Sequence, residues 1–180
     1  MRLVGLGYKA RHGKDTVAKH LLQLSPKRVK VYGFADALKA YCRVMGWMEA
    51  KDGKVLQDIG SLMRRKDPLV WIKALHYRIE EDKPDIAVIS DVRHLNEVGW
   101  ISGCDGNGLL CKVSRYDVRK SPEQSVVYKL PYQDPSRPPD HLSEVELNTF
   151  DNWDMKCEAE SGDIKKLEDF AREILGRCQV

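Results

Sequence analysis

The first eighteen residues constrain the fold more than any other part of the chain. Leu3-Val4-Gly5-Leu6 is a short apolar run that reads as a buried strand. A glycine-bearing loop follows. Val17, Ala18, Leu21 and Leu22 then recur at helical spacing and predict a helix from about Lys14 to Leu24. A strand, a loop ending in Gly13-Lys14 and a helix, in that order, suit a phosphate site. The loop's backbone N–H groups and the positive end of the helix can cradle phosphate oxygens, and Lys14 adds a mobile charge. The pattern G-x-x-x-x-G-K-[ST] is broken twice: Tyr8 stands where the first glycine belongs, and Asp15 follows the lysine, with Thr16 next. A plain strand–turn–helix with a surface lysine is the competing reading. A carboxylate beside a polyanion works best with a divalent ion between them. Asp15 is therefore either an Mg²⁺ ligand, directly or through water, or a simple helix-start acid.

The rest of the chain fits a globular frame. At 180 residues the expectation is a single domain over 1–180 with one core, and 42% hydrophobic and 32% charged residues exclude collagenous and disordered classes. No apolar stretch approaches 18 residues, which argues against a membrane span, and the apolar run at the N-terminus is too short for a signal peptide. Five cysteines without a CxxC pair point to free thiols in a reducing, cytoplasmic setting. The net charge of +3 hides a split. Residues 1–139 hold 25 Lys and Arg against 16 Asp and Glu, while residues 140–180 hold 5 against 11. The basic part suits an anionic partner, nucleic acid or small phosphates. The acidic part reads as a final helix and its approach, far from that chemistry.

Further elements follow from periodicity and punctuation. Val29–Tyr32 reads as a strand, and Asp36 as the cap of a helix that ends at Gly46. Helices are expected from about Lys54 to Arg64 and from Asp67-Pro68 onward, then a central strand Ile86–Ile89, a helix Asn96–Ile101 and a strand Leu109–Val113. Residues 116–139 carry prolines and basic residues with little periodicity and read as a long functional loop or disorder. Ser143 with Glu146 fits a capping box, Trp153–Ala159 a last strand, and Gly162-Asp163 the start of a final amphipathic helix. Strands alternating with helices predict an α/β fold with a mostly parallel sheet. In such sheets ligands bind beyond the carboxyl ends of the strands, where Asp36, Asp91, Arg93 and the phosphate loop all fall.

Four segments now stand together: Lys9-Ala10-Arg11-His12-Gly13-Lys14-Asp15-Thr16, Phe34-Ala35-Asp36-Ala37-Leu38-Lys39, Asp91-Val92-Arg93-His94-Leu95-Asn96-Glu97 and His141-Leu142-Ser143-Glu144. As a set they resemble the serial motifs of bacteriophage-type deoxynucleoside monophosphate kinases. That family carries Gly-Lys-Asp-Thr in its loop. It usually has prolines where Ala37 and Leu95 stand here. The resemblance implies a P-loop kinase fold, a three-layer α/β/α domain with a parallel five-stranded sheet. It also implies a helical monophosphate-binding insertion at about 36–82 and a lid at about 115–139. The implied reaction is ATP + dNMP → ADP + dNDP with Mg²⁺, in the cytoplasm (the host's, for a phage-encoded chain), and a homodimer is left open.

Phosphoryl transfer relies on positioning and charge stabilisation, so basic side chains carry the candidate roles. Lys14 is expected on the transferring phosphoryl group, and Arg93 on the acceptor phosphate or in an ion pair with Asp91. Asp91 organises Mg²⁺ through water, orients Arg93 or caps a helix. Asp36 and Lys39 face the acceptor, Arg64 and Arg65 open the way to it, and Trp71 stacks on its base or packs in the core. Lys9, Ala10, Arg11, His12, Gly13, Asp15 and Thr16 form the ATP side, with Arg115 and Arg119 at the start of the lid. An acceptor phosphate is already ionised, so no histidine need act as a base. The rival readings are a phosphomevalonate-like kinase, a nucleic-acid-binding module driven by the basic part, and a non-catalytic nucleotide binder.

Overall fold

A computed structural model describes residues 1–47, 53–104, 106–120, 127–135 and 139–178. Parts of the expected insertion (48–52) and of the expected lid (121–126 and 136–138) lie outside the described residues. The elements run β1 (Arg2–Gly7), α1 (Lys14–Leu24), β2 (Val29–Tyr32), α2 (Ala35–Val44), α3 (Gly53–Lys66), α4 (Val70–Asp82), β3 (Ile86–Val92), α5 (Leu95–Ser102), β4 (Gly108–Lys120), β5 (Val127–Pro131), α6 (Leu142–Val145), β6 (Met155–Glu160) and α7 (Ile164–Cys178). No described helix is long and apolar enough to cross a membrane.

The fold is α/β with a mostly parallel sheet. Strand order is β2-β3-β1-β4-β5, with β6 on β4. The pairs β2–β3, β3–β1, β1–β4 and β4–β6 are parallel, and β4–β5 is antiparallel. Among the described residues the sheet therefore has six strands, not five. The extra one comes from the segment expected to be a loop: β4 continues to Lys120 and folds back as a hairpin through β5.

Alternation along the strands splits the core into two faces. Val4, Leu6, Val88 and Val113 pack under α1 and α7, through Val17, Leu21, Phe170 and Ile174. Leu3, Ala87, Ile89 and Leu110 pack under α2, α4 and α5, through Leu38, Ile72, Leu75 and Ile101. This makes three layers. The register of β1 against β3 slips between Gly5 and Gly7, which face Ile89 and Val92. The extra residue on β3 lies at Ser90-Asp91, and it puts Val92 on the face of Ile89 rather than that of Val88. Bulges of this kind re-aim side chains beside functional sites, and Asp91 is one of the two residues at this one.

Three local expectations change. Helix α4 starts at Val70, because Asp67 Oδ1 accepts the Leu69 N–H at 3.0 Å and forms a turn before it. The amide of Ser143 is capped by His141 Nδ1 at 3.3 Å, and Glu146 is used elsewhere, so the Ser143–Glu146 capping box is not formed. The last strand starts at Met155, because Trp153 instead packs its ring against Gly7. A Cβ at Gly7 would come within 2.5 Å of that ring.

Candidate active site at the carboxyl ends of the strands

The turn from β1 to α1 is held open by positive φ angles at Tyr8 (99°), Arg11 (55°) and Gly13 (96°). Gly13 suits its place twice over: its φ favours glycine, and an added Cβ would lie 2.9 Å from Leu167. Tyr8 occupies a glycine-like conformation with a side chain. Its ring is held edge-on by His12 at 5.4 Å and lies under the Lys112 ammonium at 4.3 Å.

Lys14 is the first residue of α1 and is 5% exposed. Its Nζ donates to the carbonyls of Tyr8, at 3.2 Å, and Lys9. Burial, and after it the Arg93 charge, bring its pKa down to about 7. An ammonium has three N–H groups, so a buried lysine with two loop carbonyls as acceptors gains from an arriving anion.

A cavity of about 650 Å³ opens over this loop. Arg11, His12, Gly13, Lys14, Asp15 and Thr16 form one side. Asp36, Lys39, Arg64, Ser90, Asp91 and Arg93 form the other, and Arg115 closes the hairpin end. The structure thus brings together most of the residues singled out in the sequence. It leaves several outside. Lys9 lines only a small neighbouring recess, and Ala10 is buried behind the loop. Arg65 and Arg119 are exposed away from the cavity. Trp71 is buried in the core, with Nε1 donating to the Gly60 carbonyl at 3.4 Å, so it packs α4 against α3 and does not face the cavity.

Carboxylates organise the far wall. Asp91 Oδ1 and Oδ2 accept the N–H groups of Phe34 (2.7 Å) and Ala35 (3.1 Å), so Asp91, rather than Asp36, caps α2. Burial raises its pKa in spite of these bonds. Asp36 lies inside α2, accepts the Gly33 N–H at 3.0 Å and pairs with Arg78 and Lys39. Glu97 is 2% exposed; its Oε2 accepts the amides of Arg93 (2.8 Å) and His94 (3.1 Å), and its Oε1 faces Arg64 at 3.4 Å. Burial pushes that carboxyl up to about 8.

The acidic C-terminal segment is not far from the site. Glu160 and Asp163 line the cavity, as do His141, Leu142 and Ser143 near the start of the same segment. Glu144 accepts from Ala10 N–H at 3.0 Å and pairs with Arg93 at 2.5 Å. Glu146 accepts from His94 Nδ1 at 2.7 Å and from the Leu95 N–H at 2.9 Å. Sequence reasoning missed these contacts of Glu97, Glu144 and Glu146. A glutamate inside an apolar helical pattern, as Glu97 is beside Val98 and Ile101, was the available signal.

Among the described residues no cluster of three or more His, Cys, Asp or Glu forms a metal cage. Asp15 is exposed in the first turn of α1, lines the cavity and makes no hydrogen bond to another described residue. That donor set suits Mg²⁺, which keeps most of its waters and takes one or two carboxylates plus phosphates. No protein-family model matches the chain, and neither does any curated protein.

Proposed function

We propose that the chain is a P-loop kinase that transfers the terminal phosphoryl group of ATP to a deoxynucleoside monophosphate. The observation that carries this reading is one cavity holding Lys14 and the β1–α1 loop on one wall and Arg93 with helices α2 and α3 on the other. Its volume of about 650 Å³ is in the range of small-molecule sites, about 300–1,000 Å³.

An oxygen of the acceptor's phosphate attacks the γ-phosphorus of ATP, and the bond to the β–γ bridging oxygen breaks, leaving ADP and dNDP. The attacking oxygen is already ionised, so no side chain has to remove a proton. Lys14 stabilises the charge on the moving group, and loop amides orient the donor. Arg93 presents part of its planar fork to the acceptor phosphate. Asp15 would hold Mg²⁺, which when bound would offset polyphosphate charge. Arg115 donates to Ser161 Oγ at 2.6 Å and stacks 3.9 Å over Tyr132, which keeps a cation at the donor end of the cavity.

The test is ADP release from ATP and Mg²⁺ across a panel of deoxynucleoside monophosphates, with phosphomevalonate as a separate arm. Release that depends on one or more of the nucleotides is expected. Release with phosphomevalonate alone, or none beyond that of ATP by itself, overturns the reading. Nucleic-acid binding with steep salt dependence and no turnover would favour the basic-module alternative.

A further inference from the structure

We infer that Glu144 is a positioning residue that sets the register between the donor and acceptor halves of the site; this rests on the kinase reading above. Its carboxylate joins two segments that the chain keeps far apart. Oε2 accepts the Ala10 N–H of the phosphate loop at 3.0 Å, and Oε1 accepts from Arg93 Nη1 at 2.5 Å. Glu144 does not line the large cavity. It lines the small recess behind the loop, with Lys9 and His12. It therefore holds the loop and the arginine from behind and touches neither substrate.

The neighbouring contacts fix the same strip of chain. Glu97 takes the Arg93 and His94 amides, and Glu146 takes the His94 ring and the Leu95 amide. These bonds anchor the backbone at 93–95. Among the described residues, Glu144 alone ties the Arg93 guanidinium to the loop. An arginine has five N–H groups, so a bond through Nη1 leaves the rest of the fork for an acceptor phosphate. The same carboxylate fixes how far that fork stands from the loop that carries Lys14. In-line transfer is sensitive to this distance, since a displacement of about 1 Å can cost about 100-fold in rate.

The experiment compares wild type, Glu144→Gln and Glu144→Asp with three ligands. These are a non-hydrolysable ATP analogue, the best deoxynucleoside monophosphate of the panel, and a bisubstrate compound joining adenosine to that deoxynucleoside through five phosphates. Glutamine keeps an oxygen for the Ala10 amide but loses the charge that holds Arg93. In Glu144→Gln the bisubstrate compound should bind about 30-fold more weakly and kcat should fall by a similar factor. Each single-site ligand should stay within about threefold of wild type. Glu144→Asp, with its charge retained on a shorter stem, should recover part of both losses. Thermal melting checks that the variants fold, and comparing the two variants keeps the test open if one of them does not. A Glu144→Gln protein that keeps the full gain from joining the two halves overturns the proposal and leaves the kinase reading standing. A wild-type protein that gains nothing from joining them overturns the kinase reading, and the proposal with it.

Discussion

His12 Nδ1 accepts the backbone N–H of Arg115 at 3.0 Å, which ties the loop between β1 and α1 to strand β4. The other ring nitrogen carries the proton and donates to the Tyr132 carbonyl at 3.1 Å. Burial, then the Lys14 charge, lower the ring's pKa to about 4. The unfolded ring takes its proton near its ordinary value of 6.5, so between pH 6.5 and 4 the unfolded chain binds more protons and stability falls as pH falls. In His12→Gln that loss should be absent. Urea unfolding of both proteins at several pH values should show the wild-type advantage shrinking toward pH 4. A constant difference would contradict this assignment.

Lys14 sets a second pH-dependent quantity. With its pKa near 7 the lysine is only partly protonated at pH 8, and a bound polyphosphate favours the charged form. ATP or tripolyphosphate binding at pH 8 should take up close to one proton, seen by calorimetry as a heat that varies with the buffer's ionisation enthalpy. Without ligand the sign reverses for folding: between about pH 7 and the ordinary lysine value, the unfolded chain holds the extra proton and stability rises with pH. Lys14→Met should abolish the uptake and lower turnover by about 100- to 1,000-fold. Turnover close to wild type would remove the lysine from the mechanism.

Arg93→Ala should cost the acceptor side most. The expected outcome is a loss of about 100-fold in kcat/KM for the deoxynucleotide, with ATP affinity changed by less than about threefold. Equal losses on both substrates would mean that Arg93 does not address the acceptor.

Tyr8 gives a test of backbone strain. Tyr8→Ala removes the ring contacts with His12 and Lys112 but keeps a side chain at φ 99°. Tyr8→Gly removes the same contacts and relieves the backbone, so it should be the more stable variant by about 1 kcal/mol in urea unfolding. The reverse order would show that the turn is unstrained at this residue.

Trp71 separates packing from recognition. Trp71→Phe keeps an aromatic ring in the core and loses the bond to Gly60. Stability should fall by about 1 kcal/mol, while KM for the deoxynucleotide stays within about twofold. A large rise in KM without loss of stability would restore the stacking role.

Helix α1 and strand β2 match their expected bounds, because apolar spacing and a glycine or proline at each end leave few other solutions. The hairpin was not legible. Tyr128 and Leu130 are exposed on β5, so its alternation has no buried side to mark it. Two basic residues of the cavity wall could be read because Lys14 closes a strand–loop–helix pattern and Arg93 follows β3 directly. Its carboxylate frame could not, since Glu144 meets Ala10 across 134 residues of chain and Arg93 across 51. Spacing along a sequence says nothing about contacts of that range. For Asp91 a cap was among the readings, but that the helix it caps is α2 depends on a bulge and on a strand that pairs with β3 only in the folded sheet.

Strand β4 has a mechanical consequence. Its 13 residues run for about 40 Å without a break. They begin beside β1, pass along β6 and end in the hairpin with β5. A flap hung from two loose loops can swing like a door. This hairpin is instead a cantilever clamped in the sheet: to bend over the cavity it must flex a strand whose root lies beside β1. Load on the far end of β4 is therefore felt at Arg115 and His12, at the rim of the cavity.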